Sequence, residues 1–308
     1  MKKTSIGGQA LIEGLLMIGP TTAATAIRKP DGEIIVERMP LPKKDLFTKI
    51  PVLRGVVGFF RQIVLGMKAL MHSAEFMDIS VEEEEDIETK PSRADKFLDK
   101  VFGDKIQEAA IYFAVVISLV FSVGLFIILP NVVATLIHFK KGITYNLFEG
   151  VLRISLFFGY IYFASKMKEI KRLWEYHGAE HMTIFCYEHE QELTVENVKK
   201  YSSKHPRCGT SFLFLVMVVS IIVFSFLPIS TVIVNILLRL ALVPLVAGLS
   251  YEIIKFAGRS EWKIMKIINA PGLFFQMFTT KPPDDQQIEV AIAAFNAVRV
   301  DLTDEDKW

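Results

Sequence analysis

Two cysteines are all that 308 residues contain, so no disulfide framework holds this chain together. Cys186 and Cys208 fit a reducing compartment. Cys186 reads as a small buried apolar residue, which leaves Cys208 for chemistry. Net charge is equally scarce: 35 Lys and Arg against 34 Asp and Glu leave +1. No global field therefore draws the chain to nucleic acid. Internal repeats are missing, and biased sequence is confined to one acidic run, "VEEEEDIE". A phosphate-cradling loop is missing too. "GGQALIEG" has glycines but neither the lysine nor the following helix. No Ser/His/Asp constellation stands out. The amino terminus does not read as a secretory leader, because glycines and Glu13 interrupt its apolar stretch and no small-residue cleavage site follows.

What the chain has is apolar sequence gathered into runs. Hydrophobic residues make up 51% and the mean hydropathy is +0.36, whereas a soluble domain of similar apolar content sits near or below zero. Ala109–Ile137 and Cys208–Leu238 contain no charged residue. About 20 apolar residues cross a bilayer core. The first run predicts one transmembrane helix, with Pro130-Asn131 at its far end or at a kink. A second span runs from about Leu147 to Ser165 and pairs Glu149 with Arg153, four apart on one face. The second uncharged run is too long for one helix. Pro228–Thr231 divides it into spans at about 211–227 and 232–251, with Arg239 inside the last. The fold class expected is an α-helical polytopic membrane protein with about four transmembrane helices, a small N-terminal β-sheet and cytosolic amphipathic helices.

Around the spans, residues 1–45 predict the sheet. Two β-prone runs flank the turn signal Lys29-Pro30-Asp31-Gly32, and "GGQALIEGLLMIGP" adds a further strand or extended segment. Residues 46–77 predict a basic amphipathic helix, lying on a membrane surface or packed on other helices. Residues 78–107 form an acidic polar linker, 108–165 hold spans one and two, and 166–210 are a cytosolic loop. Residues 211–256 hold spans three and four. Residues 257–308 give an interfacial segment and then an amphipathic helix from about Asp284. Lys166, Lys168, Lys171, Arg172, Lys199, Lys200, Lys204, Arg207, Lys255, Arg259 and Lys263 fall on one side, against Lys140 and Lys141 on the other. Positive charge stays inside, so both termini and the long loop are cytosolic.

That loop carries the chemistry, in "LWEYHGAEHMTIFCYEHE". His177 and His181, four apart, project from one helix face and can hold one Zn²⁺. Glu180 between them can act as a general base on water. The order is the inverted zincin pattern H-x-x-E-H, although Gly178 weakens the helix it needs. Twenty-four residues on, "HPRCGTS" offers His205 and Cys208 as further ligands. Glu252, at the membrane boundary of span four, stands where a third carboxylate ligand is expected. A Cys208 ligand also fits a closed structural zinc. Arg207 reads as a lipid-headgroup anchor. Glu149, Arg153 and Arg239 read as helix-to-helix ties rather than an ion path.

"GGQALIEGLLMIGP", "PDGEI", "LRG", "YHGAEH", "HPRCGTSF" and "SYEIIKFAGR" together resemble the YqhQ-like family of bacterial membrane proteins, labelled predicted metal-dependent enzymes. The resemblance covers Gly7 to about Pro282. It implies a metal and an enzyme, and it adds Gln9 and Glu13 to the functional surface. No substrate comes with it.

The leading expectation is a multi-pass protein of the bacterial cytoplasmic membrane acting as a cytosol-facing hydrolase with Zn²⁺ or another divalent metal. Its partners are the lipid bilayer and a membrane-proximal protein or lipid-linked substrate. Nucleic acid is excluded, and homo-oligomerisation stays open. The alternative is a non-catalytic scaffold or assembly factor with a structural His/Cys loop. A transporter is a third reading.

Overall fold

The computed structural model describes residues 3–41, 49–76, 106–137, 142–227, 231–260 and 263–300. The acidic run lies outside these residues, as do Lys140, Lys141 and most of the expected break at Pro228–Thr231.

The chain begins with four strands, β1 Gly7–Leu11, β2 Gly14–Ile18, β3 Thr22–Arg28 and β4 Ile34–Pro40, joined as an antiparallel meander in that order. The stretch expected as one strand makes two. The hairpin turns at Ile12-Glu13, with Leu11 opposite Gly14. Glu13 takes a left-handed backbone at φ 48°, a conformation costing about 1 kcal/mol for a side chain with a Cβ. Period-2 alternation splits the sheet residues between two cores. Leu15, Met17, Ala24 and Ala26 join one. Leu11, Leu16 and Ala23 join the other, with Ala69 of the next helix.

The described helices are α1 Leu53–Glu75, α2 Ile106–Val123, α3 Leu129–Leu136, α4 Ile143–Ala164, α5 Lys168–Glu188, α6 Val195–Val198, α7 Gly209–Ser225, α8 Val232–Arg259, α9 Lys263–Thr279 and α10 Asp285–Val298. Helix α1 covers one face of the sheet, and α5 and α10 cover the other. Helix α10 opens with a capping box between Asp284 and Gln287. Its Ile288, Ala291 and Phe295 recur at helical spacing and are wholly buried against the sheet.

Three helices are long and apolar enough to cross a membrane, at Phe113–Leu136, Thr144–Ala164 and Ile233–Gly258. The third expected span, α7, is equally apolar but only 17 residues long. Of the about four spans expected, three are helices of spanning length among the described residues, and the one expected at about 211–227 is this shorter apolar helix. The first is a single run made of α2, a π turn at Gly124–Ile128 and α3. Pro130 explains the irregularity. It has no N–H for the carbonyl of Phe126, four residues earlier, and Arg153 Nε supplies the missing donor at 2.8 Å.

Arg153 is part of a buried ionic node. It donates to Glu149 Oε1 at 2.7 Å on its own helix and to Ser220 of α7 at 3.2 Å. Arg239 of α8 shares the same carboxylate oxygen. One carboxylate thus ties α4 to α8. The cavity among these side chains is about 10 Å³, room for a single water.

Candidate functional site

Helix α5 bridges the apolar helices and the sheet. It turns from exposed to buried at Tyr176, and His177, Glu180 and His181 all lie in the buried part. Gly178 keeps its place because a Cβ there would stand 2.0 Å from the Lys281 carbonyl oxygen. The segment after α9 therefore lies directly against α5, and Lys281 N–H donates to the Trp174 carbonyl at 2.9 Å. The same close approach delivers the Thr279 carbonyl to His177 Nδ1 at 2.8 Å. His181 Nδ1 meets the Ser203 carbonyl at 2.6 Å. A carbonyl only accepts, so each Nδ1 carries a proton and each Nε2 is left to the site, as a lone pair in the neutral ring and as an N–H in the imidazolium. This is the arrangement that orients metal-ligating histidines.

Both Nε2 atoms face Cys208. His177 Nε2 is 3.1 Å from Sγ. His177, His181 and Cys208 each offer a ligand atom within 4.8 Å of the others, and all three are buried. Cys208 caps the N-terminus of α7, where its sulfur accepts from Thr210 N–H at 3.4 Å. Helix N-termini favour the thiolate. Burial pushes the Cys208 thiol up, but His177 and His181 beside it pull it well below its ordinary value. Burial pushes His177 down, but the facing sulfur and Glu180 prevail and raise it to about 9. In the metal-free site His177 is therefore an imidazolium that donates Nε2–H to the Cys208 thiolate, and a bound cation would take the place of that proton.

Glu180 leans from α5 towards the sheet. Its Oε1 accepts from Gly8 N–H of β1 at 2.7 Å. A Cβ on Gly8 would stand 3.2 Å from the Glu180 carboxyl carbon, so glycine permits this approach. Oε2 is buried with no hydrogen-bond partner. Burial pushes this carboxyl up, and His177 and His181 only partly offset that.

Other expected site residues lie elsewhere. His205 is buried, but its ring centroid is 5.6 Å from that of His181 and its Nδ1 accepts from Arg207 N–H at 3.3 Å. It faces Glu188, not the sulfur. Burial pushes His205 down to about 4, against the pull of Glu188. Arg207 is 4% exposed at its side chain and bonds Glu188, so it does not reach lipid headgroups. Glu252 is not with the histidines either. Arg54 and the Val52 N–H at the start of α1 hold it. Glu13 bonds Arg172 and the Tyr176 hydroxyl, fixing the first hairpin to α5. Gln9 points to the other face, against Gly66 of α1.

Gln276 escaped the sequence reading. It is wholly buried, and its amide clamps the N–H and the carbonyl of His205 at 2.7 Å each and Ser211 at 2.9 Å. It thereby fixes the segment that presents Cys208. A glutamine inside the apolar run "LFFQMF" was the available signal. Thr279, Ser203 and Gly8 act through backbone atoms and left no such signal.

A family model described as "Protein of unknown function (DUF1385)" matches residues 50–301. The chain belongs to that family. It is also 35% identical over 300 residues to "Uncharacterized protein YqhQ" of Bacillus subtilis (strain 168), covering 94% of this chain and 91% of that protein. No solved structure matches the chain. The resemblance drawn from the motifs thus holds at the level of the family. Neither description specifies a metal or a reaction.

Proposed function

We propose that this protein is a membrane-embedded, metal-dependent hydrolase of the bacterial cytoplasmic membrane, with its site on the cytosolic side. The observation that carries the metal is the convergence of two imidazole nitrogens and one thiolate sulfur, each imidazole locked by a carbonyl behind it. Imidazole and thiolate together suit Zn²⁺. Three protein ligands leave one position open, the form catalytic zinc sites take. A bound zinc supplies Lewis-acid chemistry, polarising a carbonyl and acidifying water.

The chain's own residues do the rest. Glu180 holds an unpartnered oxygen beside the cluster and receives a proton from water. Gly8 N–H keeps its other oxygen in place. Burial of the cluster strengthens each of these electrostatic contacts. The bilayer is supported by the outer surface of the first apolar run. Phe113, Leu119, Val120 and Phe121 are all more than 60% exposed, a patch water does not tolerate at this extent. The basic residues between the second and third apolar helices support the cytosolic side.

A scaffold with a structural metal site is the second reading. It is favoured by the burial of His177, His181 and Cys208, none more than 8% exposed. Elemental analysis of the purified chain separates the readings. The expected result is one zinc per chain, lost in His177→Ala and kept in Glu180→Gln, with hydrolysis abolished in both. Zinc that survives in Glu180→Gln with unchanged cellular function supports the scaffold. A chain that purifies without metal ends both.

A further inference from the structure

Among the described strands, the one beside the site is the outermost of its sheet. Leu11 pairs with Gly14 across a two-residue turn, Gln9 with Leu16 and Gly7 with Ile18. These are the positions that exchange hydrogen bonds with β2. The alternate residues turn both N–H and C=O away from it. Three contacts bear out that parity. Ile6 N–H donates to Thr4 Oγ1 at 3.1 Å, Gly8 N–H to Glu180 at 2.7 Å, and Ile12 N–H to Ser73 at 3.3 Å. Among the described residues, no hydrogen bond outside the β1–β2 ladder reaches the Ala10 N–H or the carbonyls of Gly8 and Ala10. The strand is only half-buried from Gly7 to Ala10.

An open edge is a template for another strand, and proteins ordinarily cover or block it. Here it ends at a carboxylate. Glu180 Oε1 occupies the place on Gly8 N–H that the carbonyl of an added strand would take, and its second oxygen is buried and unpartnered. An added strand paired at Ala10 would run straight into Glu180 and the histidine–cysteine cluster behind it.

We propose that the free edge of β1 is the docking rail for an extended peptide substrate, which adds as a strand at Ala10 and carries its scissile bond to Glu180. This rests on the hydrolase reading and names its substrate class. The chemistry of the rail selects a peptide. One N–H and two carbonyls at strand spacing need a partner with both acceptors and donors, as a peptide backbone has. A lipid ester offers acceptors alone. In the reaction, the oxygen of water bonds to the substrate carbonyl carbon and the C–N bond breaks. Glu180 takes a proton from the water and returns it to the leaving amine.

The test uses the full zinc-loaded chain in detergent and a mixed-sequence decapeptide library, with cleaved members identified by mass spectrometry. The best-cleaved peptide is then remade with single N-methyl amides. Strand pairing expects alternation: N-methylation at every second residue lowers kcat/KM at least tenfold, and at the residues between changes it less than twofold. On the protein side, Ala10→Pro removes the rail's N–H without touching the β1–β2 ladder. It should raise KM at least tenfold with zinc unchanged at one per chain. Uniform N-methyl sensitivity, a wild-type KM in Ala10→Pro, or no cleaved member with zinc bound each overturns the rail while leaving the metal centre standing. So does a dimer of this chain paired through β1 that shuts the peptide out. Absence of zinc from the purified chain removes the hydrolase reading first, and the rail with it. The N-methyl series needs no protein variant, so misfolding of Ala10→Pro does not spoil the test.

Discussion

Between the apolar helices one carboxylate, Glu149, faces two arginines; on α5 two imidazoles and a carboxylate face one thiol. Both groups are buried, and both join segments distant in sequence. They differ in what their atoms are left to do. In the ionic node Arg153 donates to Glu149, Ser220 and the carbonyl freed by Pro130, and Arg239 to the same Glu149 oxygen, although Arg239 Nε and Glu149 Oε2 are left without a partner. The space that remains takes one water. In the α5 cluster the backbone carbonyls occupy the Nδ1 donors, and what converges is two Nε2 atoms and a sulfur that share one proton. A set of this kind can exchange that proton for a metal cation. A buried charge cluster is therefore not in itself a sign of function; the balance of donors and acceptors separates a tie from a site.

The sharpest way to break this comparison is Glu149→Ala. It leaves two guanidinium groups buried without their carboxylate, which costs about 3–5 kcal/mol. Thermal unfolding in detergent should fall steeply. Zinc content of the molecules that fold should not change. If zinc falls as well, the two clusters are not independent.

Next comes Cys208→Ser. A hydroxyl is a poorer zinc ligand than a thiolate, and the helix N-terminus no longer holds an anion. Zinc affinity should drop at least 100-fold on titration with a chelator, with the far-ultraviolet circular dichroism unchanged. An unaltered affinity would remove the sulfur from the ligand set.

Acid should distinguish the site's neighbour. Burial holds His205 at about 4, below its ordinary 6.5. The unfolded chain binds that proton more readily, so stability is complete above about 6.5 and is lost as pH falls towards 4. The loss is about 2–4 kcal/mol in total. His205→Gln should flatten the stability of the metal-free protein between those values, measured by denaturant unfolding.

The smallest effect is expected of Gly178→Ala. Its methyl group would press on the Lys281 carbonyl, and overpacking of this kind costs about 1–3 kcal/mol. Because Thr279 is carried on the same segment, zinc affinity should weaken severalfold alongside. A variant that loses stability yet keeps wild-type affinity would show that the Thr279 carbonyl does not orient His177.

Much of the architecture was legible in the chain. Uncharged runs marked the apolar helices, because a helix crossing lipid must be apolar all round for about 20 residues. The signal placed α7 at about its 17-residue length, but it did not show the π turn at Gly124–Ile128, where a proline perturbs hydrogen bonds rather than composition. His177, Glu180 and His181 could be placed on one helix because their spacing is local and α5 keeps the 3.6-residue period. Glu252 illustrates the limit. Its position at a helix end suggested a ligand, but the start of α1, some 200 residues earlier in the chain, supplies Arg54 and the Val52 amide to hold it.

By itself, then, the sequence determined the apolar helices, the strand-forming start, the spacing of the H-x-x-E-H residues and a short candidate segment holding both His205 and Cys208. Only the tertiary structure decided which atoms face one another. Thr279, Ser203 and Gly8 contribute carbonyls and an amide that every residue has, so no side chain announced them. It also decided that Cys208 joins the histidines while His205, three residues before it, turns to Glu188. The physical reason is that spacing along a helix fixes direction over a few residues, whereas the partners of a buried polar group are set by packing between elements remote in sequence.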